Sequence, residues 1–387
     1  MFNPEYTDLI TLKSRAYNLR WAETPEGVIP LTAADPDFPC APEISEAISQ
    51  YTSKRYFNYA PPEGLPLFRE SMSEFMFRKR SVSISPEKIL AVDSAAFGIY
   101  LICQSFLQKG DEALIFDPVD FLFRYSVEAA GAKAVSYAIA AGVVDETFSE
   151  MELLITPSTK MICLCNPLNP TGKVFTKEEL EKLLALAEKY NLLILSDEIW
   201  SDIVFHPHTF TSIASLNASA KNRTITVTGF SKSYGLAGLR IGAVMAENPE
   251  IYERIVETSR HRSTVHGANV IGQVAAATAM NACENWLSGF IEHLHHMRSF
   301  CVESFNQIPQ FSCIAPEGCY VAFADIRNTG MTSSEMHAHL LTHAKVAVVP
   351  GLAKWFGPGA EGYIRISFAT SSAILQEAFE RMKSSLT

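Results

Sequence analysis

The stretch "MICLCNPLNPTGKVFTKEELEKLLALAEKYNLLILSDE" (161–198) decides the fold. It opens on a short apolar run, 161–166, and closes on another, 192–198. Both runs have strand length and are bounded by polar residues, glycine or proline. Between them, 176–190 reads as a helix. Thr176 can cap it, Glu179 completes a capping box, and leucines recur at helical spacing. A strand, a helix and a second strand in one unbroken stretch form the crossover that joins parallel strands. The runs are apolar throughout rather than alternating, so both faces of the sheet are expected to be covered.

Outward from this unit, "EALIFD" (112–117), "TITVTG" (224–229) and "IGAVMA" (241–246) read as further strands. The fold class is therefore α/β, with a mostly parallel sheet in a large domain placed at 50–285. Residues 286–387 have another rhythm and read as a smaller α/β domain. It has a long helix carrying "FIEHLHHM", then strands near 319–326, 345–349 and 362–368. Residues 1–49 are proline-spotted and are expected to pack beside that C-terminal part. The chain's 387 residues suit such a two-part organisation.

Composition narrows the function. The formal net charge of −10 argues against wholesale nucleic-acid binding. No run of 18 apolar residues predicts a membrane span, and the first residues carry no secretory pattern. The eight cysteines include no CxxC pair. They read as reduced thiols of a cytoplasmic protein rather than a disulfide framework or a metal site. "HLHH" reads as a solvated helix face, and no GxSxG elbow marks a serine hydrolase.

In open parallel sheets, ligands bind beyond the carboxyl ends of the strands. Three groups stand at such ends: Asn166 after 161–165, Asp197 after 192–196 and Lys232 after 224–229. Each has a bland reading alone: a turn former, a helix cap and a loop lysine. Together an amide, a carboxylate and an amine suit pyridoxal 5′-phosphate. Lysine can hold its aldehyde, an acid can keep its ring nitrogen protonated, and an amide can donate to its phenolic oxygen. Its phosphate needs a helix N-terminus, a hydroxyl and an arginine. Ser94, Ala95 and Ala96 open a predicted apolar helix. Ser231 and Arg240 flank Lys232 within "GFSKSYGLAGLRIG" (229–242).

These motifs carry a family resemblance that runs almost end to end. "NYAPPEGLPLFRE", "NPLNPTG", "SDEIW", "GFSKSYGLAGLRIG" and "GYIRISFA" occur in the order found in class I/II aminotransferases of the fold-type I pyridoxal-phosphate enzymes, which the chain resembles. The resemblance implies that Lys232 carries the cofactor and acts as base, that Asp197 pairs with the ring nitrogen and that Asn166 bonds the phenolic oxygen. It implies that Ser94, Ala95, Ala96, Ser231 and Arg240 hold the phosphate. Arg365, with Asn166 and Ala34, would meet the substrate, an amino acid or a 2-oxo acid. Tyr59 would reach the neighbouring subunit's phosphate, which implies a homodimer with shared sites. The segment 262–269 would be another loop crossing to the partner.

The chain departs from the family pattern in two places. Trp200 stands where tyrosine is usual, and its indole can donate but not deprotonate. Asp120 stands where an aromatic should stack on the ring, so Phe121, then Phe123, is expected to take that place. Trp200 also leaves open a sister chemistry, the carbon–sulfur β-lyases of the cystathionine β-lyase group related to MalY and PatB. The second specificity group is left open between Arg262, His266 and an apolar surface near Phe38.

Overall fold

The computed structural model describes residues 2–139 and 147–386. Its strands, in chain order, are β1 (Ile29–Pro30), β2 (Ile89–Val92), β3 (Glu112–Asp117), β4 (Lys133–Ala138), β5 (Thr159–Cys165), β6 (Leu193–Asp197), β7 (Thr224–Gly229), β8 (Gly242–Met245), β9 (Ser312–Cys313), β10 (Val321–Asp325), β11 (Val346–Ala347), β12 (Val349–Pro350) and β13 (Tyr363–Ser367). Seven form one sheet in the order β2-β8-β7-β6-β5-β3-β4. Pairs β3–β4, β3–β5, β5–β6 and β6–β7 are parallel, and β8 runs antiparallel to β7 and β2. Strands β5 through β8 are buried along almost their whole length, as continuous apolar runs require.

The deciding unit forms as its residues dictate. The helix Lys177–Lys189 starts on the Thr176–Glu179 capping box and buries its leucines against the sheet. The helix Ala95–Phe106 lies flat on the sheet because two glycines let it. A Cβ on Gly98 would stand 2.9 Å from Val227 and Val244, and one on Gly242 would stand 2.8 Å from the Ala95 nitrogen. Its N-terminus is thereby pressed against the end of β7 and the start of β8.

The second sheet has the order β12-β13-β10-β9, all antiparallel, with the long helix Glu284–Asn306 beside it. The N-terminal segment is stitched to this part. β1 pairs parallel with β11. The Ser367 N–H donates to the Leu31 carbonyl at 2.9 Å and the Asp37 N–H to the Ala369 carbonyl at 3.0 Å. Inside that seam Arg20 and Asp37 form a buried ion pair, and the Trp21 indole donates to the same carboxylate at 2.9 Å. The Arg20 guanidinium also donates to the Pro30 and Ala33 carbonyls, so the pair fixes the loop that carries Ala34.

Removing one partner of such a pair leaves an uncompensated buried charge. Asp37→Ala is expected to cost about 3–5 kcal/mol. Urea unfolding checks this: the midpoint should fall sharply with an unchanged slope, whereas an unchanged midpoint would remove the pair from the account of the seam.

Candidate active site

The parallel strands of the large sheet end on one side, where the antiparallel β8 begins. A cleft of ≈ 340 Å³ opens there. Asp197 is the last residue of β6, Lys232 follows β7, and Ser94 follows β2. Asp120 follows β3 through a cis Asp117–Pro118 bond, and Arg240 lies two residues before the start of β8. Arg365 reaches the same cleft from β13 of the second sheet, and Ala34 from the N-terminal segment. Of the residues singled out from the sequence, Ala34, Ser94, Ala95, Ala96, Phe121, Phe123, Asp197, Trp200, Ser231, Lys232, Arg240 and Arg365 all line this one cleft.

Lys232 is the centre of the arrangement. Its Nζ donates to the Ala34 carbonyl at 2.6 Å and stands 5.3 Å from the centre of the Trp200 ring. Burial lowers its pKa below the ordinary lysine range, and neighbouring Asp35, Asp120 and Asp197 only partly oppose that. A buried amine with a lowered pKa is the form that can act as a nucleophile or base. Trp200 packs edge-on against Tyr320 at 4.7 Å, and the Tyr320 hydroxyl donates to the same Ala34 carbonyl at 3.1 Å.

Asp197 accepts the Ile199 N–H at 3.1 Å, and no cation pairs with it among the described residues. Burial raises its pKa to about 7, helped by the Asp120 and Glu198 charges. A cationic ring N–H would supply the missing partner and hold the carboxylate ionised. The anion end of the cleft is equally explicit. The Ser94 side chain caps the helix Ala95–Phe106 by accepting the Phe97 N–H at 3.0 Å. That leaves the first-turn N–H groups of Ala95 and Ala96, beside Ser231 and Arg240, for an anion. Arg240 holds a left-handed backbone, φ 49°, which is uncommon for a side chain with a Cβ. The Asn269 amide fixes it there, donating to the Leu239 and Arg240 carbonyls at 2.8 and 2.9 Å. Amine, acid and anion cradle thus fit pyridoxal 5′-phosphate.

Asn166 and Tyr59 lie outside this cleft, Tyr59 being expected to serve the neighbouring subunit's. Asn166 is buried outside the cleft. Its Oδ1 accepts the Phe175 N–H at 3.1 Å, and its Nδ2 donates to the Thr211 carbonyl at 3.3 Å. The second asparagine of "NPLNPTG", Asn169, lines the cleft instead, bonded to both Asp120 and Arg365. Tyr59 is 87% exposed, with its ring 5.3 Å from His266, and takes no part in its own chain's cleft. Arg262 is ion-paired with Glu63 and Glu253. Phe38 packs against Phe2, Phe290 and His293 in the core and does not reach the cleft. Leu19, Leu122, Val349, Trp355 and Phe356, which the sequence did not single out, complete the cleft wall. Their only signal was apolarity, with no motif to mark them.

Comparison with known proteins follows the same lines. Residues 26–382 match the family model described as aminotransferase class I and II. The aspartate aminotransferase of Pyrococcus abyssi (strain GE5 / Orsay) is 32% identical over 92% of this chain and 91% of that protein. The crystal structure of an aromatic aminotransferase from Pyrococcus horikoshii OT3 is 31% identical, with a TM-score of 0.87 over 93% of this chain and 96% of that one. Cystalysin from Treponema denticola, whose structure contains pyridoxal 5′-phosphate, shares the fold. Its TM-score is 0.91 at 24% identity, over 100% of this chain and 99% of that one.

The raised Asp197 has a measurable consequence. Its folded-state value is about 7, against about 4 in an unfolded chain. The ligand-free protein therefore gains stability from its protonated form, fully below the unfolded value, and loses it as pH rises through about 7. Asp197→Asn should melt higher than the ligand-free wild type at pH 8 and converge with it near pH 4. Identical melting curves at pH 8 would remove the buried charge as the cause.

Proposed function

The chain belongs to the class I and II aminotransferases, and from that premise we propose which of its residues move an amino group between an L-amino acid and a 2-oxo acid, and on which substrates. The observation that carries the reading is the convergence of Lys232, Asp197, Arg365 and the N-terminus of the helix Ala95–Phe106 on one cleft from separate parts of the chain. Pyridoxal 5′-phosphate, when bound, supplies an electron sink for the charge left at the substrate Cα. Lys232 would anchor its aldehyde and, once freed, take and return the substrate proton. Asp197 would keep the ring nitrogen protonated. Ser94, Ser231, Arg240 and the N–H groups of Ala95 and Ala96 would hold the phosphate. Asn169, whose second amide N–H has no partner among the described residues, takes the donor role first given to Asn166. Arg365 would bind the α-carboxylate. It is buried and its Nε has no partner among the described residues, which suits a planar anion.

The cleft wall supports a substrate class. Its cations are Lys232, Arg240 and Arg365, and each already has a task. Leu19, Phe121, Leu122, Trp355 and Phe356 also line it, with Phe121 edge-on to Trp355 at 5.7 Å. Arg262 is engaged by two carboxylates of its own chain. An aromatic or large aliphatic side chain fits this wall better than a second carboxylate.

Homodimerisation is part of the proposal. Tyr56, Phe57 and Tyr59 are exposed large apolar residues on one loop, and Leu67 is exposed just beyond it, an unusual concentration for a free surface. A second copy would cover them and carry Tyr59 to its partner's cleft. All eight cysteines are free thiols, which fits a cytoplasmic setting. Among the described residues no helix is long and apolar enough to cross a membrane.

Three outcomes are expected. Phenylalanine with a 2-oxo acid should give parallel-line ping-pong kinetics without ammonia, and kcat/KM for phenylalanine should exceed that for aspartate by about tenfold or more. The reverse order would overturn the substrate class, and continuous release of pyruvate and ammonia from cystathionine would favour the β-lyase chemistry instead. Lys232→Ala should lose on the order of 10³ or more in turnover, and borohydride should no longer fix the cofactor to the protein.

A further inference from the structure

Arg365 raises a question that its proposed role does not answer. Its guanidinium is buried, yet no carboxylate forms an ion pair with it among the described residues. Nη1 donates to the Asn169 Oδ1 at 3.0 Å, Nη2 to the Thr32 carbonyl at 3.0 Å, and Nε has no partner among the described residues. A direct counter-ion would satisfy the charge but would occupy the fork. The carboxylate that chiefly offsets the burial of Arg365 is Asp120, and it acts from one residue away.

Asp120 is built into place. Its N–H donates to the Asn169 carbonyl at 3.1 Å. Its Oδ1 accepts the Leu122 N–H at 3.2 Å, and its Oδ2 accepts the Asn169 Nδ2–H at 2.9 Å. Both oxygens accept from N–H donors, which is the pattern of an ionised carboxylate. An asparagine amide has a donor end and an acceptor end. Because Asp120 can only accept, it fixes the donor end toward itself and the acceptor end toward Arg365. If the Asn169 amide turned over, its NH₂ would face the guanidinium and two donors would oppose each other.

We propose that Asp120 is a positioning residue for the substrate carboxylate: it sets the orientation of the Asn169 amide, and through that amide holds the Arg365 fork in place with its remaining donors free. The charge of Asp120 compensates the buried cation without capping it. This rests on the reading that Arg365 binds the α-carboxylate, and the experiment separates the two.

The test uses the cofactor-loaded enzyme and 3-phenylpropionate, a carboxylate with no amine to react, titrated by its effect on the cofactor's absorbance. Asp120→Ala frees the amide and should weaken binding tenfold or more, with KM for phenylalanine rising more than kcat falls. Asp120→Asn has one acceptor oxygen where the carboxylate has two, so it keeps the Asn169 N–H only by giving up the Leu122 N–H, and binding should fall between that of wild type and that of Asp120→Ala. Asn169→Leu, which keeps the bulk and lacks the amide, should resemble Asp120→Ala and serves if that variant does not fold. 3-Phenylpropan-1-ol, with the same ring and no carboxylate, should bind all of them alike. Wild-type affinity in Asp120→Ala, or equal weakening in the alanine and asparagine variants, would overturn the relay. If Arg365→Ala leaves 3-phenylpropionate binding intact, the reading of Arg365 itself fails, and the relay with it.

Discussion

The hydrogen bond from Lys232 to the Ala34 carbonyl is the constraint around which the structure is arranged. One carbonyl in the N-terminal segment receives the amine that follows β7 and the hydroxyl of Tyr320 that precedes β10. Three remote parts of the chain therefore meet at one atom. The segment bearing Ala34 cannot hold its position alone, since β1 is only two residues long. It is held by pairing with β11, by backbone bonds to Leu31 and Asp37, and by the buried Arg20–Asp37 pair. Without that seam the amine would lose its acceptor and the cleft one wall. This is a case in which a buried ion pair, weak as a source of net stability, fixes register.

Around that node the cleft keeps charges that the chain itself does not fully pair. Among the described residues no cation forms an ion pair with Asp197 and no carboxylate with Arg365, and Lys232 is buried with its pKa lowered. Ordinary cores avoid such groups. Their concentration at the strand ends of a parallel sheet is what identifies the site physically. Each unpaired group has a complementary partner in an amino acid or in pyridoxal phosphate. Burial that looks unfavourable for the chain alone would become specific recognition with those partners bound.

The large sheet was legible because its strands are continuously apolar. β3 and β7 fall on the runs read from the sequence, and β5, β6 and β8 differ from them by a residue or two. β2 and β4 were not read. β4, "KAVSYA", is an edge strand with half-exposed residues, so it lacks the apolar continuity of its neighbours. The site was legible wherever a residue closes a strand, as Asp197 does, or follows one in a small-residue loop, as Lys232 does. It was not legible within "NPLNPTG". Both asparagines precede proline, and no periodicity separates them. Asn166 directly continues the buried strand and turns its amide onto Thr211 and Phe175, whereas the chain emerges into the cleft only at Asn169.

The departure at Asp120 connects these threads. A carboxylate there cannot stack on a ring, so the aromatic surface moves along the chain. Phe121 lies at the mouth, 39% exposed and edge-on to Trp355. The same exchange thus has two effects. It adds an apolar wall where a substrate side chain would lie, and it places a buried carboxyl next to Asn169, whose pKa burial pushes up while the Leu122 N–H and the charges of Arg365 and Lys232 oppose that rise. On the proposed reading, specificity for the side chain and preparation of the carboxylate fork would have one local origin. It is the turn after β3, which is braced from the far side by the Gly359 N–H donating to the Asp117 carboxylate at 3.0 Å. A change in that turn should therefore alter substrate choice and carboxylate binding together, because the residues that govern them are neighbours on one rigid bend.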